Sequence, residues 1–237
     1  MKKFVITLTA ICIAVGAPLF AQTIQDDFSG MGAWKPAYGA WKADGKLTQS
    51  NLTTGLAQIY RQVPQSGVYE LEFTAKYKEG GYKDLKDAAM GKYHAGFGIH
   101  IGIDKPAPSI SWGNGKSYLL WFNLDTTVPK NSEYYGLRAQ VYKSDSNSRM
   151  NLMKDYNVEI LPQDVVTANL DYLAYDLKVR MIVNTNDGEI RVYDPTVDNY
   201  YYYFTLDPKV LRAGSYVAFR TNRVGIAFDD FKVTRIR

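Results

Sequence analysis

The sequence predicts an all-β protein, a two-sheet antiparallel sandwich of jelly-roll type. Three observations carry the prediction. From Gln25 onward, hydrophobic residues recur with period two in one segment after another, the spacing of strands that bury one face. Turn chemistry separates these segments at Asp44-Gly45, Gly80-Gly81, Gly113-Asn114-Gly115 and Asn186-Asp187-Gly188. No long amphipathic helix competes with the strands. Many strands divided by regular turns close into two packed sheets.

Residues 1–21 stand apart. Lys2 and Lys3 precede a short apolar run from Phe4 to Val15, and Ala21 offers a cleavage site. This reads as a secretory signal peptide, too short for a stable transmembrane helix, and it predicts export to a periplasm or beyond. Its removal takes two lysines and lowers the net charge from +4 to +2. The only cysteine, Cys12, lies inside it. The remaining chain, 22–237, is expected to be one domain that relies on its core without disulfides. No later run is long enough to span a bilayer, and no basic stripe suggests nucleic acid.

The elements follow in order. Tyr69, Leu71, Phe73, Ala75 and Tyr77 alternate with Glu70, Glu72, Thr74, Lys76 and Lys78. Asp84 to Met90 predicts one helical turn or a loop. Phe97, Ile99, Ile101 and Ile103 alternate with Gly96, Gly98, His100 and Gly102. Tyr118, Leu120, Phe122 and Leu124 form the next strand, and Leu137, Ala139 and Val141 the one after. Val179, Met181 and Val183 lead through Asp187-Gly188, the strongest hairpin signal, into Glu189–Tyr193.

Little of this supports catalysis. There is no G-x-S-x-G elbow, no cysteine nucleophile and no phosphate loop. His94 and His100, six residues apart on one strand, are about 20 Å apart and cannot share a metal. Asp26-Asp27 and Asp229-Asp230 would converge if the first and last strands are neighbours. A structural calcium would suit them, and so would capping and turn polarity.

The second faces of the strands carry more. His94, His100, Trp121, Asn123, Arg138, Gln140, Tyr142 and Arg180 would form a polar and aromatic face floored by Gly96 and Gly98, if their strands share a sheet. Trp121 would stack on a sugar ring while amides and arginines meet its hydroxyls. A protein interface enriches the same residue types. The run Asp198 to Asp207 places Tyr200, Tyr202 and Phe204 on one side of a strand. Tyr201 and Tyr203 then form an outward row that, with Tyr134, Tyr135, Tyr172, Tyr175 and Tyr193, suits packing against a partner.

The chain resembles the concanavalin A-like, laminin-G-like jelly-roll superfamily. The resemblance is carried by Asp26-Asp27-Phe28 near the start, Trp41-Lys42-Ala43-Asp44-Gly45-Lys46-Leu47 as a hairpin, and Phe228-Asp229-Asp230-Phe231-Lys232-Val233 at the close. It implies the fold over nearly the whole mature chain. It also raises glycoside hydrolysis, but the E-x-D-x-E strand of the retaining members is missing. Glu70 and Glu72 share one strand face and point in parallel, so they would not flank a glycosidic bond.

Within that fold the layout resembles the spirochaetal periplasmic flagellar filament outer-layer (FlaA-type) proteins, in its signal, its cysteine-free single jelly roll and its abundant Tyr and Trp. That resemblance implies a non-catalytic sheath component with filament proteins as partners. The alternative is an exported glycan-binding module of lectin type, with a hydrolase third.

Overall fold

The computed structural model describes residues 23–53, 55–132, 135–153, 175–193 and 198–236. The segment 1–21 read as a signal peptide, with Cys12, lies outside them, as do Tyr134 and Tyr172. In chain order the strands are β1 (Thr23–Asp26), β2 (Lys35–Tyr38), β3 (Trp41–Ala43), β4 (Leu47–Gln49), β5 (Ala57–Gln62) and β6 (Val68–Gly80). They continue as β7 (His94–Ile103), β8 (Ser117–Asp125), β9 (Gly136–Ser146), β10 (Arg149–Leu152) and β11 (Leu177–Asn184). The last are β12 (Glu189–Tyr193), β13 (Tyr201–Thr205), β14 (Tyr216–Asn222) and β15 (Val224–Arg235). Among the described residues two short helices interrupt them. The turn expected at Asp84–Met90 is α1 (Leu85–Ala89), capped by the Asp84 carboxylate on the Asp87 amide. The second, α2 (Pro208–Ala213), opens with Asp207 as cap and Pro208 in the first turn. Its short run carries no periodic signal.

All strand pairs are antiparallel. One sheet of eight strands has the order β13-β12-β11-β6-β15-β4-β3, with β1 added to β15; a seven-stranded sheet runs β10-β9-β8-β7-β14-β5-β2. The sheets pack face to face, so the predicted jelly-roll sandwich is the observed one. Period two explains the packing. Leu71, Phe73 and Ala75 of β6 face Phe97 and Ile99 of β7 across one shared core, which also takes in Val179, Met181, Ile190 and Val192. Phe219 of β14 and Phe228 of β15 stack across the two sheets at 4.1 Å, with Phe73 and Trp34 each 5.1 Å from Phe219. Each such ring contributes about 1.5–3 kcal/mol by leaving water.

The Asp pairs serve the frame. Asp26 accepts from Arg61 Nη1 at 2.6 Å, from Trp34 Nε1 at 3.1 Å and from the Phe28 amide at 2.9 Å. Arg61 belongs to β5 in the other sheet, so this ion pair ties the two sheets beside the Trp34 and Phe231 rings. Asp27 caps the Ser29 amide. Asp229 meets Lys46 at 3.2 Å. Asp230 sits in a bulge of β15 with φ of 51°, where the register with β6 shifts between Asp229 and Lys232. The first and last strands are neighbours, and Asp26 gives its oxygens to Arg61, Trp34 and the Phe28 amide. Among the described residues no three His, Cys, Asp or Glu side chains gather around one point.

Candidate functional site on the seven-stranded sheet

The outer face of the seven-stranded sheet is built in rungs, because cross-strand partners point to the same side. One rung runs Gln58, Arg220, Gly98, Trp121, Gln140 across β5, β14, β7, β8 and β9. The rung toward one end is Asn222, Gly96, Asn123, Arg138. The rung toward the other is Tyr60, Ala218, His100, Leu119, Tyr142. His94 and Asp125 close the face beyond Gly96 and are bonded at 3.2 Å. Seven of the predicted site residues therefore share this face: His94, His100, Trp121, Asn123, Arg138, Gln140 and Tyr142.

The other three do not. Arg180 sits on β11, Tyr201 and Tyr203 on β13, all on the outer face of the eight-stranded sheet. Alternation gave each strand's two faces, but not which sheet it joins. Arg180 makes a two-pronged ion pair with Glu70, both bonds 3.0 Å, and lies 4.1 Å from the Tyr193 ring centre. The Glu70 hydrogen bond holds its guanidinium above the ordinary arginine range. Glu72 pairs with Lys232 at 3.4 Å. Tyr201 and Tyr203 are exposed, while Tyr202 and Phe204 turn toward the core. Tyr200, expected with Tyr202 on the inner side, is exposed and meets the Tyr202 ring edge-on at 5.3 Å.

The glycines floor Trp121 rather than a ligand. A Cβ on Gly96 would stand 2.3 Å from Trp121 Cζ2, and one on Gly98 2.1 Å from the Leu120 carbonyl oxygen. The indole therefore lies down on the backbone, with Leu119, Met150 and Tyr142 around it. It is only 8% exposed, and Nε1 donates to Asn123 Oδ1 at 3.3 Å.

His100 has a structural partner set. A loop over residues 104–116 folds back on the face, and Arg220 holds it. Arg220 Nη1 donates to the Trp112 carbonyl at 2.7 Å and Nη2 to the Ser111 carbonyl at 3.0 Å. Nη1 also meets His100 Nε2 at 3.3 Å. The His100 Nδ1–H then donates to Ser117 Oγ at 3.1 Å, and Ser117 donates to the Asn114 carbonyl at 2.8 Å. This chain requires neutral His100. Burial first, and the Arg220 charge second, push its pKa well below the ordinary value. Burial likewise brings Arg220 down to about 10. Trp112 completes the clasp, donating to the Met150 carbonyl at 2.8 Å and meeting the Tyr142 ring edge-on. Arg220 and Trp112 carried no signal in the sequence pattern, since one sits on an unrecognised strand and the other in a loop.

Arg138 differs from every other arginine on the face. It is 6% exposed, and its Nε and Nη1 are buried without a hydrogen-bond partner. Gln58 Nε2, on the neighbouring rung, is buried and unpaired as well. Gln140 accepts from the Tyr142 hydroxyl at 3.0 Å. Arg138 thus leaves unsatisfied donors beside Asn123, one rung from Trp121 and Gln140, an arrangement suited to an acceptor-rich ligand.

No protein-family model matches the chain, and no curated protein matches it. Solved structures do. The CBM2 module of the Lactobacillus casei BL23 phage J-1 evolved Dit aligns with a TM-score of 0.53 at 9% identity, over 92% of this chain and 98% of that one. A Bacillus subtilis protein of unknown function with a galectin-like fold gives 0.50 at 10% identity, over 91% and 98%. The carbohydrate-binding module CBM66 from Bacillus subtilis gives 0.45 at 10% identity, over 84% and 94%. The first two share this architecture. The filament-sheath resemblance gains nothing from these neighbours.

Proposed function

We propose that this chain is an exported, non-catalytic glycan-binding module whose site is the part of the seven-stranded sheet around Trp121, Asn123, Arg138 and Gln140. The observation that carries the reading is that Nε and Nη1 of Arg138 are buried without a hydrogen-bond partner. An unmet buried donor costs about 1–3 kcal/mol, more when it is charged. A fold that retains such a group without a protein partner breaks a local rule, and such breaks cluster at functional sites. Glycans supply a dense array of oxygen acceptors for these donors, with the buried Trp121 indole as a rigid support beside them. The galectin-like and CBM2 neighbours fit this reading, since the same sandwich bears modules of that kind. Glu70 and Glu72 lie on the opposite sheet and are held in ion pairs, which favours binding without hydrolysis.

Arg138→Met tests it. The variant is expected to lose retention in glycan-affinity electrophoresis while its urea midpoint stays level or rises, because a buried charge is removed. Undiminished retention would sink the assignment of the site. A second reading, subunit packing in a sheath, keeps one observation, the exposed Tyr200, Tyr201 and Tyr203 on the opposite sheet. Concentration-dependent association in sedimentation velocity would support it.

A further inference from the structure

We infer that the ligand of this face is an acidic glycan, with a carboxylate or sulfate ester seated on Arg138; this deepens the glycan-binding reading and rests on it.

The argument compares two arginines one rung apart. Arg220 also lacks a carboxylate, but two carbonyls and a neutral imidazole fill its hydrogen-bonding positions. It needs no ligand. Arg138 has neither a carboxylate nor carbonyl acceptors for Nε and Nη1. The nearest acid on the face is Asp125, diagonal to Arg138 in the register. Its Oδ2 is engaged by His94, and its Oδ1 accepts from the Thr127 amide at 2.8 Å and hydroxyl at 2.6 Å. In the loop that folds over the face, Asp104 Oδ1 is turned to the backbone amides of Lys105 and Lys116. Among the described residues the face therefore carries two buried guanidinium groups, and the carboxylate nearest Arg138 is bonded elsewhere.

For Arg220, carbonyls and a ring nitrogen fixed by the fold meet the guanidinium; a neutral sugar brings rotating hydroxyls. A carboxylate or sulfate presents paired anionic oxygens to the planar fork, through hydrogen bonds about twice as strong as neutral ones.

The experiment uses two matched pairs of polysaccharides with the intact protein: polygalacturonate against its methyl-esterified form, and dextran sulfate against dextran. Expected is at least about tenfold stronger retention of the charged member in one pair, weakening as salt rises and lost in Arg138→Gln. Which pair responds tells carboxylate from sulfate. The comparison within each pair needs no variant, so it stands even if Arg138→Gln folds poorly. Equal retention within both pairs overturns the charge and leaves the glycan reading intact. Retention of dextran sulfate that Arg138→Gln leaves unchanged overturns the seat, since bulk surface charge then explains it. Retention of no glycan, charged or neutral, across a broad panel overturns the function itself.

Discussion

His100 and Arg138 are both buried bases on one sheet face, and their partners give them opposite uses. His100 accepts from Arg220 and donates to Ser117, so the native state keeps it neutral. Above about pH 6.5 folded and unfolded chains are both neutral there, and the group adds no pH dependence. Below it the unfolded chain takes a proton that the native chain refuses. Stability is therefore expected to fall with acidification, at about 1.4 kcal/mol per pH unit from this group. His100→Gln should flatten that part of a urea-midpoint profile; an unchanged slope below pH 6.5 would refute the neutral imidazole. Asp26 offers a second residue-scale test. Asp26→Ala strands Arg61 beside Trp34 and Phe231, and breaking a mostly buried pair is expected to cost about 3 kcal/mol in urea unfolding. A loss under about 1 kcal/mol would show that solvent takes over the guanidinium.

At the scale of the element, β15 shows what a period can and cannot reveal. Strict alternation from Phe228 would bring Asp230 inside and turn Phe231 out. The structure buries both Phe228 and Phe231, because Asp230 takes a left-handed conformation and one extra residue fits into the strand. The Asp-Asp pair between two phenylalanines was the visible trace of that bulge. Asp230→Gly is expected to be neutral or to stabilise by up to about 1 kcal/mol, and Asp230→Val to destabilise, since a β-branched residue resists positive φ. Equal melting temperatures for the two would argue against the bulge. Elements with unbroken alternation, such as Tyr69–Ala75 and Phe97–Ile101, and the Asp187-Gly188 hairpin with Gly188 at φ of 87°, were legible in advance; the register shift at Gly102, with φ of 66°, was not. The strand bearing Arg220 and the helix after Asp207 were not. The strand begins Tyr216-Val217-Ala218-Phe219 with no polar alternation, being buried on both sides under the loop. The helix spans under two turns.

For the whole molecule, the sandwich was legible and the grouping of its faces only partly so. Which strands become neighbours depends on long-range pairing such as β14 between β7 and β5, and no local pattern encodes it. That is why Arg180 was expected beside Trp121, and lies on the opposite side with the outward row of Tyr201 and Tyr203. The result is a two-faced body. One face carries buried, unpaired donors, and the other exposed tyrosines beside paired arginines. Glycan retention reports on the first, and sedimentation on the second.

The first and last strands also fix how the body would behave under tension. Thr23 pairs with Thr234 and Asp26 with Phe231, so the ladder opens at the corner where both described ends emerge. A pull on those ends peels β1 away one pair at a time, like a zip, instead of loading its hydrogen bonds together in shear. The peel reaches Asp26 last. There the bond to Arg61 anchors the strand to the opposite sheet, and acts as the stop on the zip.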